Sequence, residues 1–469
     1  MAFLIGGANT LDDAYDISNS LRQYGTDQYL SRSISSTGNE RIATVSVWVK
    51  RATTGTEHTI FSNKISSAGS NCFKFAFFND DELSIQIGTT ANSNTTLTTN
   101  RKFRDPAAWY HLMAVIDTDQ ATEANRVRIY VNGEEETSFS DSGYPSRNSD
   151  MRISNSSFPH TIGEDPRDNT HFHGYLSEMY FIDGTALTPS SFGKTDNNGV
   201  WIPKDAKDDL TFGTNGFYME FKETGTGQNS SSIGADTSGN DNHFQPTNHS
   251  SLHIMPDTPT NNFCTLNYIA RDPHATLSSA NLKWTSGGNG GVVGTMAVAN
   301  GKWYWECKGV DVGADSQLGI WQTSKDTGYP LNQYVGTGES WGYVTFSGKN
   351  IHSDSQSAAI TVVNDNDIMM FALDMDNLKL WFGINGTWTQ SGDPANGNNP
   401  NHSGITDEFM TPAIASYSGS SGYDWRFNFG GPNFTISSGN ADANGYGNFE
   451  YAPPSGFYAL CTKYLAEYG

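Results

Sequence analysis

The chain has 469 residues, more than the ~250–300 at which a single hydrophobic core stops growing, so we expect two globular domains. Its net charge of −22, with only 17% charged residues, excludes the basic surface of a nucleic-acid-binding protein and disfavours attachment to anionic lipid. The 48 glycines, the 12% of aromatic residues and the absence of a long 3.6-residue apolar period indicate an all-β protein with many turns.

Residues 1–26 are too few for a domain and begin with the apolar residues Phe3, Leu4 and Ile5. They form either a frayed terminus or an attachment arm whose apolar tip is buried in a partner, and the sequence favours neither. The segment lacks the basic start and the apolar length of a signal peptide, and no stretch of the chain is apolar enough to cross a membrane. We expect synthesis in a host cytoplasm without membrane insertion, which the four scattered cysteines also fit.

Residues 27–195 contain a series of short runs that is typical of an antiparallel sandwich. Asn132 and Gly133 follow one alternating run and predict a hairpin, because a type I′ turn needs positive φ at both central residues. The predicted strands lie at 44–50, 73–78, 83–87, 109–117, 126–131 and 175–182.

The same region contains, in order, SVWVKR, AWYHLMAVID, RVRIYVNG, IGED and GYLSEMYFIDGTALTPSSF. The order and spacing of these motifs resemble a laminin G-like domain, which has a concanavalin A-like jelly-roll fold. Domains of this family often hold Ca²⁺ at one rim through aspartates and backbone carbonyls. The resemblance therefore implies a calcium site, for which Glu164, Asp165 and Asp168 are the candidate ligands, although no motif fixes them.

Residues 196–283 are rich in turn formers, which indicates a connector, and the run at 217–221 is able to add a strand to the first sandwich. Oxygen-bearing side chains alternate along 236–242 as in a calcium loop. Asp241 and Thr247, however, stand where an EF-hand loop needs Gly and Glu. An Asx-rich turn is the simpler interpretation.

Residues 284–469 contain GKWYWE, LGIW, DIMMFALDMD, LWFGING and FNFG in that order. This order resembles a SPRY domain, a bent two-sheet sandwich that binds partners through loops at one rim. Asn385 and Gly386 predict a hairpin here as well. The candidate ligand-binding aromatics near the rim are Trp321, Tyr334, Trp341 and Tyr343. For Trp341 and Tyr334, a core position fits the sequence equally well.

A laminin G-like module and a SPRY-like module behind a short N-terminal segment together resemble virion structural proteins of tailed bacteriophages. The resemblance implies a non-enzymatic adhesin on the virion surface, such as a tail fibre, that binds a host-surface glycan or protein. Its arm, with Phe3, Leu4 and Ile5, would contact other virion proteins. We also expect a homo-oligomer, specifically a trimer, because several copies add avidity.

Three alternatives remain open: a capsid-surface decoration or assembly protein, a polysaccharide depolymerase, and a module that binds host-cell proteins. The Glu-x-Asp-x-x-Glu strand of concanavalin-type glucanases is absent from the sequence, which disfavours the depolymerase. His171 and His173 share a strand face, but no third zinc ligand is evident.

Overall fold

The computed structural model describes residues 15–25, 27–63, 73–88, 94–166, 168–314, 316–324, 335–416 and 422–468. The expected attachment residues Phe3, Leu4 and Ile5 and the aromatic candidate Tyr334 lie outside these ranges. The described residues up to Thr260 form one unit, and those from Asn261 onward form another. The strands of both units pair antiparallel, apart from one parallel pairing of described strands in the second unit. The predicted all-β fold with two tandem sandwiches is therefore confirmed.

The first unit is a sandwich of two eight-stranded sheets. In spatial order, its first sheet comprises Glu134–Glu135, Val127–Val131, Trp109–Asp117, Ile42–Arg51, Gly174–Asp183, Ser20–Gln23 and Ile254–Met255, with Phe217–Met219 paired to Gly174–Asp183. The second sheet comprises Phe139–Ser142, Asn94–Lys102, Glu82–Gly88, Lys74–Phe77, His58–Ser62, His160–Ile162, Tyr29–Arg32 and Gln245–Thr247. Two further hairpins pair Glu164–Asp165 with Thr170–His171 and Gly193–Thr195 with Trp201–Pro203.

Strand alternation accounts for the main core of this unit, because successive side chains of a strand point to opposite faces. Phe75 and Phe77 pack between the sheets with Val47 and Val49 of the facing strand. Lys74, which lies between the core residues Phe73 and Phe75, therefore points to the other face of its sheet. A smaller apolar cluster that includes Tyr180 and Tyr218 covers the other face of the first sheet.

Residues 196–283 do not form a separate connector. The strand expected in the run at 217–221 is found as Phe217–Met219, and Gln245–Thr247 and Ile254–Met255 also pair with strands of the first sandwich. The second unit begins at Asn261, earlier than the expected boundary at 284. The turn formers of 196–283 suggested a linker, but in the structure these turns join very short strands that belong to the two sandwiches.

The second unit also has two sheets. The seven-stranded sheet comprises, in spatial order, Leu266–Arg271, Gly291–Gly294, Met410–Ser416, Ser316–Gln322, Ser340–Val344, Lys349–His352 and Ser355–Gln356. The nine-stranded sheet comprises Ala275–Ser278, Lys283–Ser286, Asp424–Asn428, Lys302–Asp311, Ile368–Asp374, Lys379–Ile384 and Thr387–Trp388, with His402–Ser403 beside Lys379–Ile384 and Tyr458–Ala459 beside Lys302–Asp311.

Helical structure is sparse. The α-helix of the described chain is Thr462–Tyr468, and no helix in the described ranges is long and apolar enough to cross a membrane. Short 3₁₀ helices are found at Glu123–Asn125, Pro189–Ser191, Lys207–Asp209, Ser251–His253, Thr389–Ser391 and Pro394–Asn396.

Both predicted Asn-Gly hairpins are confirmed. Asn132 and Gly133 have φ values of 48° and 82°, and Asn385 and Gly386 have 47° and 82°, as a type I′ turn requires. Gly133 is also fixed by close approach, since an added Cβ would lie 2.4 Å from the Trp201 ring. The first of these turns lies beside the groove that is described next.

Candidate functional site

A groove lies along one side of the first sandwich, where the edges of its two sheets meet. Val127–Val131 and Glu134–Glu135 form the edge of one sheet, and Phe139–Ser142 forms the edge of the other. The 3₁₀ helix Glu123–Asn125 closes one end. The groove has a volume of about 360 Å³, which falls at the lower end of small-ligand sites. It is lined by Ala124, Val127, Arg128, Glu135, Glu136, Thr137, Phe139, Ser142 and Tyr144.

The Asn-Gly turn is what brings these residues together. It reverses the chain so that Glu134 and Glu135 pair with Val131 and Tyr130. The Glu136 N–H then donates to the Ile129 carbonyl at 2.9 Å, after which the chain crosses to the second sheet. A sharp turn followed by a crossover therefore places polar side chains of both sheet edges in one groove.

Arg128 provides the hydrogen-bond donors of this edge groove. Its side chain is half-buried, with the guanidinium carbon 5.7 Å from the centre of the Tyr130 ring. Its Nε atom is buried and has no hydrogen-bond partner in the described part of the chain. A guanidinium in this position is able to donate to a ligand oxygen.

Glu135 and Glu136 provide acceptors, but in different environments. Glu136 is buried, with its Oε1 2.5 Å from the Nε atom of Arg101. Glu135 is exposed and lies opposite Tyr130 in the strand pair. The pKa of Tyr130 is raised, mainly by burial, and the carboxylate of Glu135 adds to the rise while Arg128 opposes it. Glu135 ends the strand and Glu136 follows it in the extended chain, so their side chains point to opposite sides. The two carboxylates therefore do not form a convergent acid–base pair.

Two aromatic rings complete the edge groove. Phe139 and Tyr144 are both half-buried and pack partly against the main core, so each ring is held in place while part of it faces the groove. Burial raises the pKa of Tyr144, and the nearby carboxylates of Glu123 and Glu135 raise it further. The phenol therefore remains protonated and able to donate a hydrogen bond at neutral pH.

The expected calcium ligands lie elsewhere on this unit, on the two-stranded Glu164–Asp165/Thr170–His171 pair, which we call the rim hairpin. Asp165 and Asp168 converge on the ammonium group of Lys74 and not on an open metal position. The Nζ atom of Lys74 lies 2.9 Å from Asp165 Oδ2 and 3.5 Å from Asp168 Oδ2. Glu164 points to the opposite face of its strand. Across the described residues, no group of three or more His, Cys, Asp or Glu side chains is placed to hold a metal ion.

The histidines and the Asx-rich loop also lack a metal arrangement. His173 stacks on His58, with ring centres 5.3 Å apart. In the 236–242 loop, Asp236 accepts hydrogen bonds from the N–H groups of Tyr218 and Asn242 at 2.9 and 2.8 Å. The interpretation of this loop as an Asx-rich turn is confirmed.

Both the edge groove and the rim hairpin fall inside the part of the chain that matches a known family. Residues 24–191 match the laminin G type of the concanavalin A-like lectin/glucanases superfamily. The first unit is therefore concanavalin A-like, and we call it the lectin-like unit. No curated protein sequence matches the chain.

Solved structures similar to the chain include SPRY domains and a pentraxin. The SPRY domain of human HERC1 is 17% identical with a TM-score of 0.30, covering 34% of this chain and 96% of that one. The TRIM65 PSpry domain is 17% identical with a TM-score of 0.27, covering 35% and 91%. The heptameric SAP-like pentraxin from Limulus polyphemus is 20% identical with a TM-score of 0.26, covering 37% and 80%.

The candidate aromatics of the second unit are core residues where the structure describes them. Trp321 is 6% exposed, Trp341 is 3% exposed and Tyr343 is fully buried. Trp341 stacks on His352 at 4.6 Å, and the Tyr343 hydroxyl donates to the Thr361 carbonyl. Of the rim and core positions that the sequence left open for Trp341, the structure shows the core position. None of these three rings offers an exposed face for stacking on a ligand.

The sequence interpretation missed the edge groove. Its residues lie within 124–144, which was taken only as a strand and its hairpin. One signal was available: Glu134, Glu135 and Glu136 follow the Asn-Gly turn directly, and an aromatic residue follows at 139. A run of acids beside an aromatic, next to a tight turn, indicates a polar sheet edge and not a core strand.

Proposed function

We propose that this protein is a non-catalytic adhesive structural protein whose lectin-like unit binds a surface saccharide in the edge groove. The observation that carries the proposal is the combination of groups in that groove. Arg128 supplies donors, Glu135 and Glu136 supply acceptors, and Phe139 and Tyr144 supply partly exposed rings. A sugar ring offers hydroxyl groups that pair with both kinds of polar group, and apolar C–H faces that pack on aromatic rings.

The charges of the groove favour a saccharide that is neutral overall. Glu136 is already paired with Arg101, and the exposed carboxylate of Glu135 lies on the same strand pair as Arg128. The groove therefore has no large excess of positive charge for an acidic polymer. The net charge of −22 over the whole chain acts in the same direction, since it repels polyanions at long range.

A shallow groove of this size implies weak binding at each site, so adhesion would depend on several copies acting together. The sequence resemblance to tailed-bacteriophage virion proteins supports a place on a virion surface, for example on a tail fibre. In this proposal the N-terminal segment with Phe3, Leu4 and Ile5 attaches the chain to other virion proteins. A homotrimer would present three grooves to one host surface.

The non-catalytic part of the proposal rests on the geometry of the carboxylates. Glycoside hydrolysis needs two carboxyl groups that face one glycosidic bond, about 5–10 Å apart. Glu135, at the end of its strand, and Glu136, directly after it, point to opposite sides of the extended chain, and Glu136 is held by Arg101. Binding without bond cleavage is what this arrangement supports.

The test uses the fluorescently tagged full-length chain on an array of bacterial surface saccharides and on intact bacterial cells. Arg128→Ala removes the groove donor, and Arg147→Ala removes an exposed arginine that does not line the groove. We expect saturable binding by the wild type and by Arg147→Ala, and loss of binding by Arg128→Ala. Equal binding by all three contradicts the groove. Binding to empty capsids alone favours the decoration protein, and release of reducing sugar favours the depolymerase.

A further inference from the structure

Under the rim hairpin of the lectin-like unit, three carboxylates surround one buried ammonium group, two of them from the hairpin and one from Glu57. Lys74 is 1% exposed, and its Nζ atom contacts the carboxylates of Glu57, Asp165 and Asp168. The Thr170 hydroxyl lies 3.4 Å from the same nitrogen. The three donor hydrogens of the ammonium are thus directed at a shell of oxygen atoms, as a bound metal cation would be.

The position of Lys74 in its strand explains this placement. It alternates with the core residues Phe73 and Phe75, so its side chain leaves the sheet on the outer face. The rim hairpin covers that face, and the Ser62 hydroxyl holds it there by donating to the Glu164 carbonyl at 2.8 Å. The lysine side chain therefore reaches the carboxylate cluster from the outer face of the sheet.

The charge balance makes the ammonium an internal counter-ion. Asp165 is fully buried, so its carboxylate needs a cation close by to be stable in the folded protein. Burial acts to lower the pKa of Lys74, but Asp165 and Glu57 outweigh it and the net shift is upward. The ammonium is thus charged at neutral pH, and its position leaves no room for a second cation between Asp165 and Asp168.

We infer that Lys74 takes the place of the calcium ion that the laminin G resemblance implies for this rim. The rim hairpin is ordered by an ion that belongs to the chain, so the lectin-like unit folds without divalent cations. The inference also assigns a latent site: Glu57, Asp165 and Asp168 would bind a hard divalent cation such as Ca²⁺ once the ammonium is removed. It does not depend on the proposed saccharide binding.

The experiment measures thermal unfolding of the full-length chain in EDTA and in millimolar CaCl₂. For the wild type, we expect the same Tm in both, and a Tm that rises in CaCl₂ would overturn the inference. Lys74→Met, which keeps the aliphatic stem, should lower the Tm in EDTA and recover about 5 °C or more on addition of Ca²⁺. MgCl₂ and NaCl at matched ionic strength distinguish a specific site from charge screening.

A second variant covers the case in which Lys74→Met fails to fold. Asp168→Asn alters the more exposed of the carboxylates and leaves Asp165 paired with Lys74. It should fold, lose a small part of the Tm and remain insensitive to Ca²⁺. Isothermal titration of the wild type with CaCl₂ should show no binding heat, and a measurable stoichiometric site at this rim would refute the internal cation. A folded Lys74→Met that ignores Ca²⁺ would refute the latent site.

Discussion

Nε of Arg101 lies 2.5 Å from Oε1 of Glu136, and this pair joins a strand of the second sheet to the chain that leaves the first. The arginine side chain is 46% exposed and the glutamate side chain is 8% exposed. The pair therefore holds a carboxylate in the wall of the edge groove while leaving the arginine largely in solvent. Its exposure limits its contribution to stability but not its role in positioning the acceptor.

Glu136→Gln preserves the shape of the groove wall and removes its charge. We expect the free energy of unfolding to fall by about 1 kcal/mol or less, as for other partly exposed ion pairs. Saccharide binding should weaken about 10-fold, because a hydrogen bond to a charged group contributes about 1.5 kcal/mol. Urea unfolding and calorimetric titration measure the two effects. Glu134→Gln, on the same turn but outside the groove, is the control and should match the wild type.

Tyr144 should contribute to binding chiefly through its ring. Tyr144→Ala removes a face worth about 0.5–1.5 kcal/mol, so the saccharide Kd should rise about 2- to 12-fold. Tyr144→Phe keeps the ring and should stay within about twofold of the wild type. Fluorescence titration with the saccharide identified on the array measures both. If Tyr144→Phe proves as weak as Tyr144→Ala, the hydroxyl and not the ring carries the contact.

The sequence predicts the fold correctly wherever a short local pattern is compatible with only one backbone conformation. Asn132 and Gly133 specify a turn by their backbone preferences alone, and the run at 73–78 predicted the strand that is found at Lys74–Phe77. These features depend on residues adjacent in the chain. The same holds for the Asx-rich turn at 236–242.

The sites were less accessible because they depend on residues that are distant in the chain. Asp165 looks like a calcium ligand until Lys74, on another strand, is found 2.9 Å away. Trp341 looks equally suited to a rim or a core until its stacking on His352 is known. The expected boundaries of 196–283 differ from the observed ones for the same reason, since strand partners of that segment lie more than two hundred residues away.

A buried carboxylate should make the stability of the lectin-like unit fall as the pH rises. Glu178 lies at φ 48° in a bulge of Gly174–Asp183 and accepts hydrogen bonds from the hydroxyls of Tyr180 and Tyr218 at 2.9 and 2.6 Å. Burial raises its pKa from 4.5 to about 7; the two tyrosine hydrogen bonds oppose the rise, and Glu220 and Asp205 add to it.

Because the folded-state pKa of Glu178 is above the unfolded one, its stabilising contribution is complete below pH 4.5 and is lost as the pH rises through about 7. Glu178→Gln keeps an acceptor for the tyrosines and should flatten the decline in unfolding free energy between about pH 5 and pH 8. Urea unfolding at a series of pH values provides the slope. An unchanged slope in the variant would show that other groups cause the decline.

Protonation of a buried histidine should make the stability of the lectin-like unit fall as the pH falls, which is the opposite pH dependence. Burial lowers the pKa of His111 from 6.5 to about 3, and the ring is held by the Trp201 N–H, which donates to Nδ1 at 3.0 Å. Its folded-state pKa is depressed, so stability is complete above pH 6.5 and is lost as the pH falls towards 3, at about 1.4 kcal/mol per pH unit. His111→Asn should reduce the acid sensitivity, whereas His274→Asn, at a side chain 62% exposed, should not.

The most direct measurement of the central claim is calorimetric titration of the array-identified saccharide into the full-length wild type, Arg128→Ala and Arg147→Ala. The account predicts one site per chain, equal Kd values for the wild type and Arg147→Ala, and a Kd at least about 10-fold higher for Arg128→Ala, since a hydrogen bond from a charged donor contributes about 1.5–3 kcal/mol. An Arg128→Ala variant that is folded and binds as tightly as the wild type would contradict a saccharide site in the edge groove.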